Sequence, residues 1–209
     1  TKELIETMAN FLIPVFTFSM SESIIRYGLD KDYDNRQVFS TAIMVEVLGL
    51  FIMALLSPFL SFIPFVKGFT PWLVVYVIIS SFRQTCSLFV RSIGYVKLYA
   101  FDGILATLTL FIFNIIFISG FKMEISGFLL AVIASDLTST IFLCAAARVG
   151  RYFSPKYADR DIMKIMLRFS VPMIPTSIMW IITGFSDRIF IKYMHGPAAT
   201  TGDSAAGIY

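Results

Sequence analysis

The sequence is short of the residues that carry most enzyme chemistry. It has one histidine and two cysteines in 209 residues. A single histidine, His195, cannot build a His-based catalytic or metal cluster. It stands beside Gly196 and Pro197 and reads as a solvated loop residue. Cys86 and Cys144 both lie inside apolar runs, so they form neither a disulfide framework nor a metal-binding pair. There is no GxSxG elbow, no phosphate-binding GxxxxGK[ST], no HExxH and no CxxC. The expectation is a protein that is not an enzyme, with no cofactor and no metal.

Charge is scarce as well. Asp, Glu, Lys and Arg make up 15% of the chain, against about a quarter in ordinary soluble domains. The net charge is +3, and the basic residues sit in the gaps between apolar blocks. A nucleic-acid partner requires basic residues clustered on a soluble face, so none is expected. No charged, apolar and small-residue succession marks a signal peptide. The chain starts Thr-Lys-Glu and stops in an apolar trend, so it is expected to be a fragment of a longer protein.

What is abundant is apolar sequence. Hydrophobic residues make up 57%, mean hydropathy is +0.78, and Phe alone occurs 22 times. The apolar residues come in blocks of roughly 20, the length that crosses a bilayer as a helix. Six such spans are expected, over residues 4–27, 38–63, 71–92, 98–120, 125–147 and 168–193. The fold class is therefore all-α, a polytopic helical membrane protein with the lipid bilayer as its solvent.

Proline and polar residues punctuate the spans. The first contains Glu6 and Asn10 and is expected to kink at Pro14. Its Glu22 and Arg26 stand at i, i+4 and can pair. The third opens with Pro71 and Trp72, which suit a first helical turn and an interface. Pro172 and Pro175 break the start of the sixth.

The loops orient the chain. Basic residues before spans two, four and six number eleven: Arg26, Lys31, Arg36, Arg91, Lys97, Arg148, Arg151, Lys156, Arg160, Lys164 and Arg168. The other side has Lys2, Lys67, Lys122 and Lys192, with Arg188 just inside the membrane. The positive-inside rule then places the N-terminus of this chain outside, as expected if one earlier span precedes it. Residues 149–164 form the one long hydrophilic stretch and read as a basic cytoplasmic linker. Residues 1–148 would be a first lobe without its first helix, and 165–209 the start of a second.

Ionisable groups at bilayer depth are expensive and face a cavity or a partner. Arg83 sits mid-span. It reads either as a cation lining a water-filled path or as half of a buried pair with Glu46 or Asp136. Asp187 and Arg188 are adjacent, so they point about 100° apart on a helix. One can face a cavity and one a neighbouring helix, and both are substrate-path candidates. Glu46 and Asp136 read as coupling groups or as helix-pairing carboxyls. Glu22, Arg26, Arg91 and Asp102 read as inner-gate residues or snorkelling charges.

Several of these segments resemble one family. SESIIRY at 21–27 is similar to the inner end of the second helix of bacterial polysaccharide (O-antigen) flippases. VRSIG at 90–94 followed by KLYA at 97–100 is similar to their fourth-to-fifth helix connection. FSVPMIP at 169–175 and SDR at 186–188 resemble their seventh helix, and AAGIY at 205–209 the start of the eighth. The resemblance implies the multidrug/oligosaccharidyl-lipid/polysaccharide exporter superfamily, of which this chain would cover helices two to seven. It implies a two-lobe transporter of twelve to fourteen helices in the inner membrane. Its substrate would be undecaprenyl-pyrophosphate-linked oligosaccharide, with glycan assembly proteins as further partners. Arg83 and Arg188 suit a pyrophosphate, because a guanidinium fork matches phosphate oxygens. The loop 195–204 is longer and more irregular than the family's usual turn. The alternatives are a drug or cation antiporter of the same superfamily, relying on Asp136, Glu46 or Asp187, and a membrane glycan polymerase or ligase. The short outer loops count against the last.

Overall fold

The computed structural model describes residues 2–60, 68–121, 123 and 125–193. Every long element among them is a helix, and none is a strand. In chain order these are α1 (Lys2–Phe16), α2 (Met20–Leu29), α3 (Asn35–Leu60), α4 (Thr70–Ser92), α5 (Val96–Asn114), α6 (Ile125–Ala146), α7 (Arg160–Ser170) and α8 (Met173–Tyr193). A π-helical turn, Ile115–Gly120, extends α5. Five helices are long and apolar enough to cross a membrane, or six if α1 and α2 count as one bent span.

The outer surface has the character that a bilayer requires. Val47, Leu48, Phe51, Leu55 and Phe59 on α3 are exposed, as are Phe101, Ile104, Leu108, Phe111 and Ile112 on α5. A soluble monomer rarely presents apolar patches of this extent. Inside, the buried residues form two clusters. One gathers Met20, Ile24, Val38, Phe39, Phe89, Leu143 and Met166 near the basic loops. The other gathers Ile5, Leu12, Leu50, Met53, Leu73, Val77 and Leu129 toward the opposite end.

The first span breaks later than Pro14. Pro14 lies within α1, and the helix ends at Phe16. Phe18 (φ 53°) and Ser19 (φ 49°) then take the left-handed conformation, which costs a non-glycine residue roughly 1–2 kcal/mol. The Ser19 N–H reaches back to the Pro14 carbonyl at 3.0 Å. The Thr17 hydroxyl donates to the Ile13 carbonyl at 2.7 Å. α2 leaves at 54° to α1. What holds the break is α3: a Cβ at Gly49 would stand 1.7 Å from the Phe16 carbonyl oxygen. Only glycine lets the broken backbone approach so closely.

The hydrophilic stretch before the sixth span is folded onto the bundle. The helix starts at Arg160, eight residues before the apolar run expected from sequence, and the Asp159 side chain caps it by accepting from the Asp161 N–H at 2.8 Å. Ile162, Met166 and Ser170, spaced four apart, are its buried face. The Ser23 hydroxyl on α2 donates to the Met166 carbonyl at 2.9 Å. Ser40 on α3 donates to the Tyr152 carbonyl and accepts from the Ser154 N–H, each at 3.0 Å. The Arg26 guanidinium lies 4.4 Å from the centre of the Phe169 ring, and that of Arg36 lies 5.8 Å from Tyr157. The basic stretches around α2, α3 and α7 therefore share one end of the molecule. A short turn at Val171 and Pro172, whose proline has no N–H to donate, separates α7 from α8 at Met173, and Arg160–Gly184 together makes one membrane-length span.

Candidate functional site

α4 carries a polar stripe along one face. Ser80, Arg83, Gln84, Ser87 and Arg91 follow the spacing i, i+3, i+4, i+7, i+11, so they stack on neighbouring turns. α6 offers Asp136 and Ser139 at i, i+3, and α5 offers Asp102. The three helices bring these groups together. Ser80 donates to Asp136, and Arg83 Nε donates to Ser139 Oγ at 3.1 Å. Both pairs are 56 residues apart, which fixes one register along the two parallel helices. Ser139 in turn donates to Asp102 Oδ1, and Ser87 Oγ donates to Asp102 Oδ2 at 3.3 Å.

Arg83 is thus held between two carboxylates. Its Nη1 is 3.5 Å from Asp136 Oδ1, and its Nη2 is 3.7 Å from Asp102 Oδ2. Both separations exceed a good N–H···O bond. A guanidinium has five N–H donors, and only the Nε–H is spent on a hydrogen bond among the described residues. Asp102 is 1% exposed and Asp136 7%, whereas the Arg83 side chain is 29% exposed. The carboxylates form the wall, and the cation faces open space.

That space is a cleft of about 680 Å³ between α1, α2, α4, α5 and α6. Glu6, Asn10, Glu22, Gln84, Arg91 and Tyr76 line it beside Arg83 and Asp136. An adjoining pocket of about 340 Å³ shares Asn10, Ile13, Glu22 and Gln84 and is closed by α8. A polar hollow within helices whose outer faces are apolar is the arrangement expected of a path or binding site in a membrane protein.

The residues singled out from sequence fall into four groups. Arg83, Asp136 and Asp102 meet, with Asp102 buried behind the guanidinium. Glu22 and Arg91 also line the cleft, with the Arg91 guanidinium 5.4 Å from the Tyr99 ring. Arg26 and Glu22 form no ion pair, because Arg26 stacks on Phe169 and Tyr27 instead. Glu46 does not reach Arg83. It is fully buried in α3, and neither carboxylate oxygen has a hydrogen-bond partner among the described residues. The backbone of Asp187 and Arg188 belongs to α8, but their side chains lie outside the described residues, as does His195. Among the described residues no cluster of three or more His, Cys, Asp or Glu could hold a metal ion.

Ser80, Gln84, Ser87, Ser139 and Trp180 enter the site without having been singled out. The α4 members were visible as a helical stripe around Arg83, and Ser139 as the neighbour one turn after Asp136. Trp180 carried no such signal, because its place depends on how α8 returns to α1.

Fold and cleft together describe an all-helical chain with five or six helices long and apolar enough to span a membrane and a polar hollow between them. Comparison with protein-family models, with curated protein sequences and with solved structures finds no match for the chain.

Proposed function

We propose that the chain is part of an integral membrane transporter that flips lipid-linked oligosaccharide, carried on undecaprenyl pyrophosphate, across the inner membrane for surface polysaccharide synthesis. In this reading its basic end faces the cytoplasm and its N-terminus the outside. The observation that carries it is Arg83. Its Nη donors are only loosely engaged and open to the cleft, so a phosphate oxygen can take the position that Asp102 or Asp136 holds at rest. Bidentate exchange between carboxylate and phosphate is chemistry for which arginine is suited. Arg91 gives a second cation two turns further along the same stripe. The sequence resemblance to polysaccharide flippases points the same way. No bond is made or broken, so the work of the site is to replace hydration in a low-dielectric layer.

A second reading draws on the same triad. Two carboxylates face one guanidinium, and Glu6 and Glu22 add further acid to the cleft. That excess suits a drug or cation antiporter of the same superfamily, with Asp136 as the exchange group.

The test is substitution in the full-length protein. Arg83→Ala and Arg83→Lys are expected to lower surface glycan and to accumulate the lipid-linked intermediate. Asp136→Asn is expected to weaken export less. Unchanged surface glycan in both Arg83 variants overturns the flippase reading. Normal glycan together with lost drug resistance in Asp136→Asn establishes the antiporter instead.

A further inference from the structure

The hollow has two chemically different halves. Arg83 and Arg91 lie in the larger one. Among the described residues the 340 Å³ pocket beside it is lined by no lysine or arginine, and its one charged lining residue is Glu22. Its other polar groups are uncommitted. The Asn10 and Gln84 amides make no hydrogen bond among the described residues. Ser19 is 3% exposed, and its hydroxyl has no partner among the described residues. On the facing helix, Trp180 presents its indole with 76% of the residue exposed.

Each feature narrows the ligand. A carboxylate with no cation among the described lining residues disfavours an anionic headgroup. Unpaired amides and a buried hydroxyl disfavour an acyl chain, because apolar contact leaves their hydrogen bonds unmade. A neutral, hydroxyl-rich molecule with one apolar face satisfies all of these groups at once. A sugar ring has that chemistry: its axial C–H face packs on an aromatic plane while its hydroxyls bond to amides and a carboxylate. Pockets of a few hundred Å³ with few convergent polar groups are typical binding sites.

We infer that this pocket is a carbohydrate subsite, with Trp180 as the platform and Asn10, Gln84, Ser19 and Glu22 as the hydroxyl-binding groups. The inference rests on the flippase reading for its biological use, and it divides that site into a sugar half and a phosphate half. The sugar half lies between α1, α2, α4 and α8, so a bound ring touches both sides of the break at residues 17–19.

The test is saturation-transfer NMR on the full-length protein in a detergent without a sugar headgroup, with maltose and N,N′-diacetylchitobiose as probes. Saturable transfer to ring protons of at least one probe is expected, with inorganic pyrophosphate failing to displace it. Gln84→Ala and Trp180→Ala are each expected to weaken binding about tenfold, and Trp180→Phe to retain part of it. Thermal melting of each variant controls for folding. Absence of saturable transfer in the wild-type protein, or transfer unchanged in Gln84→Ala and Trp180→Ala, overturns the subsite. Sugar binding alongside normal glycan export in Arg83→Ala would leave the subsite standing and remove the flippase reading. Export that depends on Arg83 without any sugar binding would do the reverse.

Discussion

The end where α2, α3 and α7 meet and the cleft beside α4 treat their polar side chains in opposite ways. At the first, buried hydroxyls are spent on main-chain groups. Ser23 bonds the Met166 carbonyl, Ser40 bonds the main chain at Tyr152 and Ser154, and Thr41 accepts from the Asp159 N–H at 3.3 Å. Arg26 is spent on aromatic rings. Asn35 Oδ1 and Ser170 Oγ are the exceptions. In the cleft the hydroxyls of Ser80, Ser87 and Ser139 are spent on the carboxylate wall, but Arg83 keeps most of its donors, and Asn10, Gln84 and Ser19 keep theirs. Spent groups hold the bundle together. Unspent ones that line the cleft are open to whatever enters it. The difference separates structural from functional polarity without any knowledge of the substrate.

Substitutions can break that contrast, and four positions are arranged by expected size. Asp102→Ala should cost the most stability. It removes the buried partner of Arg83 and strands Ser87 and Ser139, at about 3 kcal/mol, read as a large drop in thermal midpoint in detergent. Asp102→Asn should cost less, since the amide still bonds both hydroxyls. Gly49→Ala follows, because its methyl meets the Phe16 carbonyl backbone and forces a shift worth about 1–3 kcal/mol. The same melt should show it, with export reduced in step.

Ser23→Ala tests the spent side of the comparison. It should cost about 1 kcal/mol, the worth of one buried hydrogen bond, and leave sugar and headgroup binding unaltered. An effect on binding at unchanged stability would show that the two regions are not separable. Lys164→Ala is the smallest. Its pair with Asp161 at 3.5 Å is exposed on both sides, so the change should stay below about 0.5 kcal/mol.

Much of this arrangement was readable in the chain. Blocks of apolar residues gave the helical membrane class, and the depth of Arg83 in its block marked the centre of the cleft. Asp136 was visible as an alternative partner. Asp102 read as an interfacial charge because it stands six residues into α5, and the register of α4, α5 and α6 decides that it meets Arg83. The break at residues 17–19 was hidden for a different reason. Phe18 and Ser19 adopt left-handed angles that sequence associates with glycine, and the glycine that permits them is Gly49, on another helix. α7 was masked by its own charge: Arg160, Asp161, Lys164 and Arg168 obscure the spacing of Ile162, Met166 and Ser170.

The account turns on one claim, that water reaches the Arg83 face of α4 inside a bundle whose outer faces meet lipid. It is tested most directly by cysteine accessibility in membranes, in a Cys86→Ser, Cys144→Ser background. Gln84→Cys and Asn10→Cys are expected to react with a water-soluble thiosulfonate reagent, while Leu48→Cys and Ile104→Cys resist it. Equal reactivity at Ile104→Cys and Gln84→Cys would contradict the account.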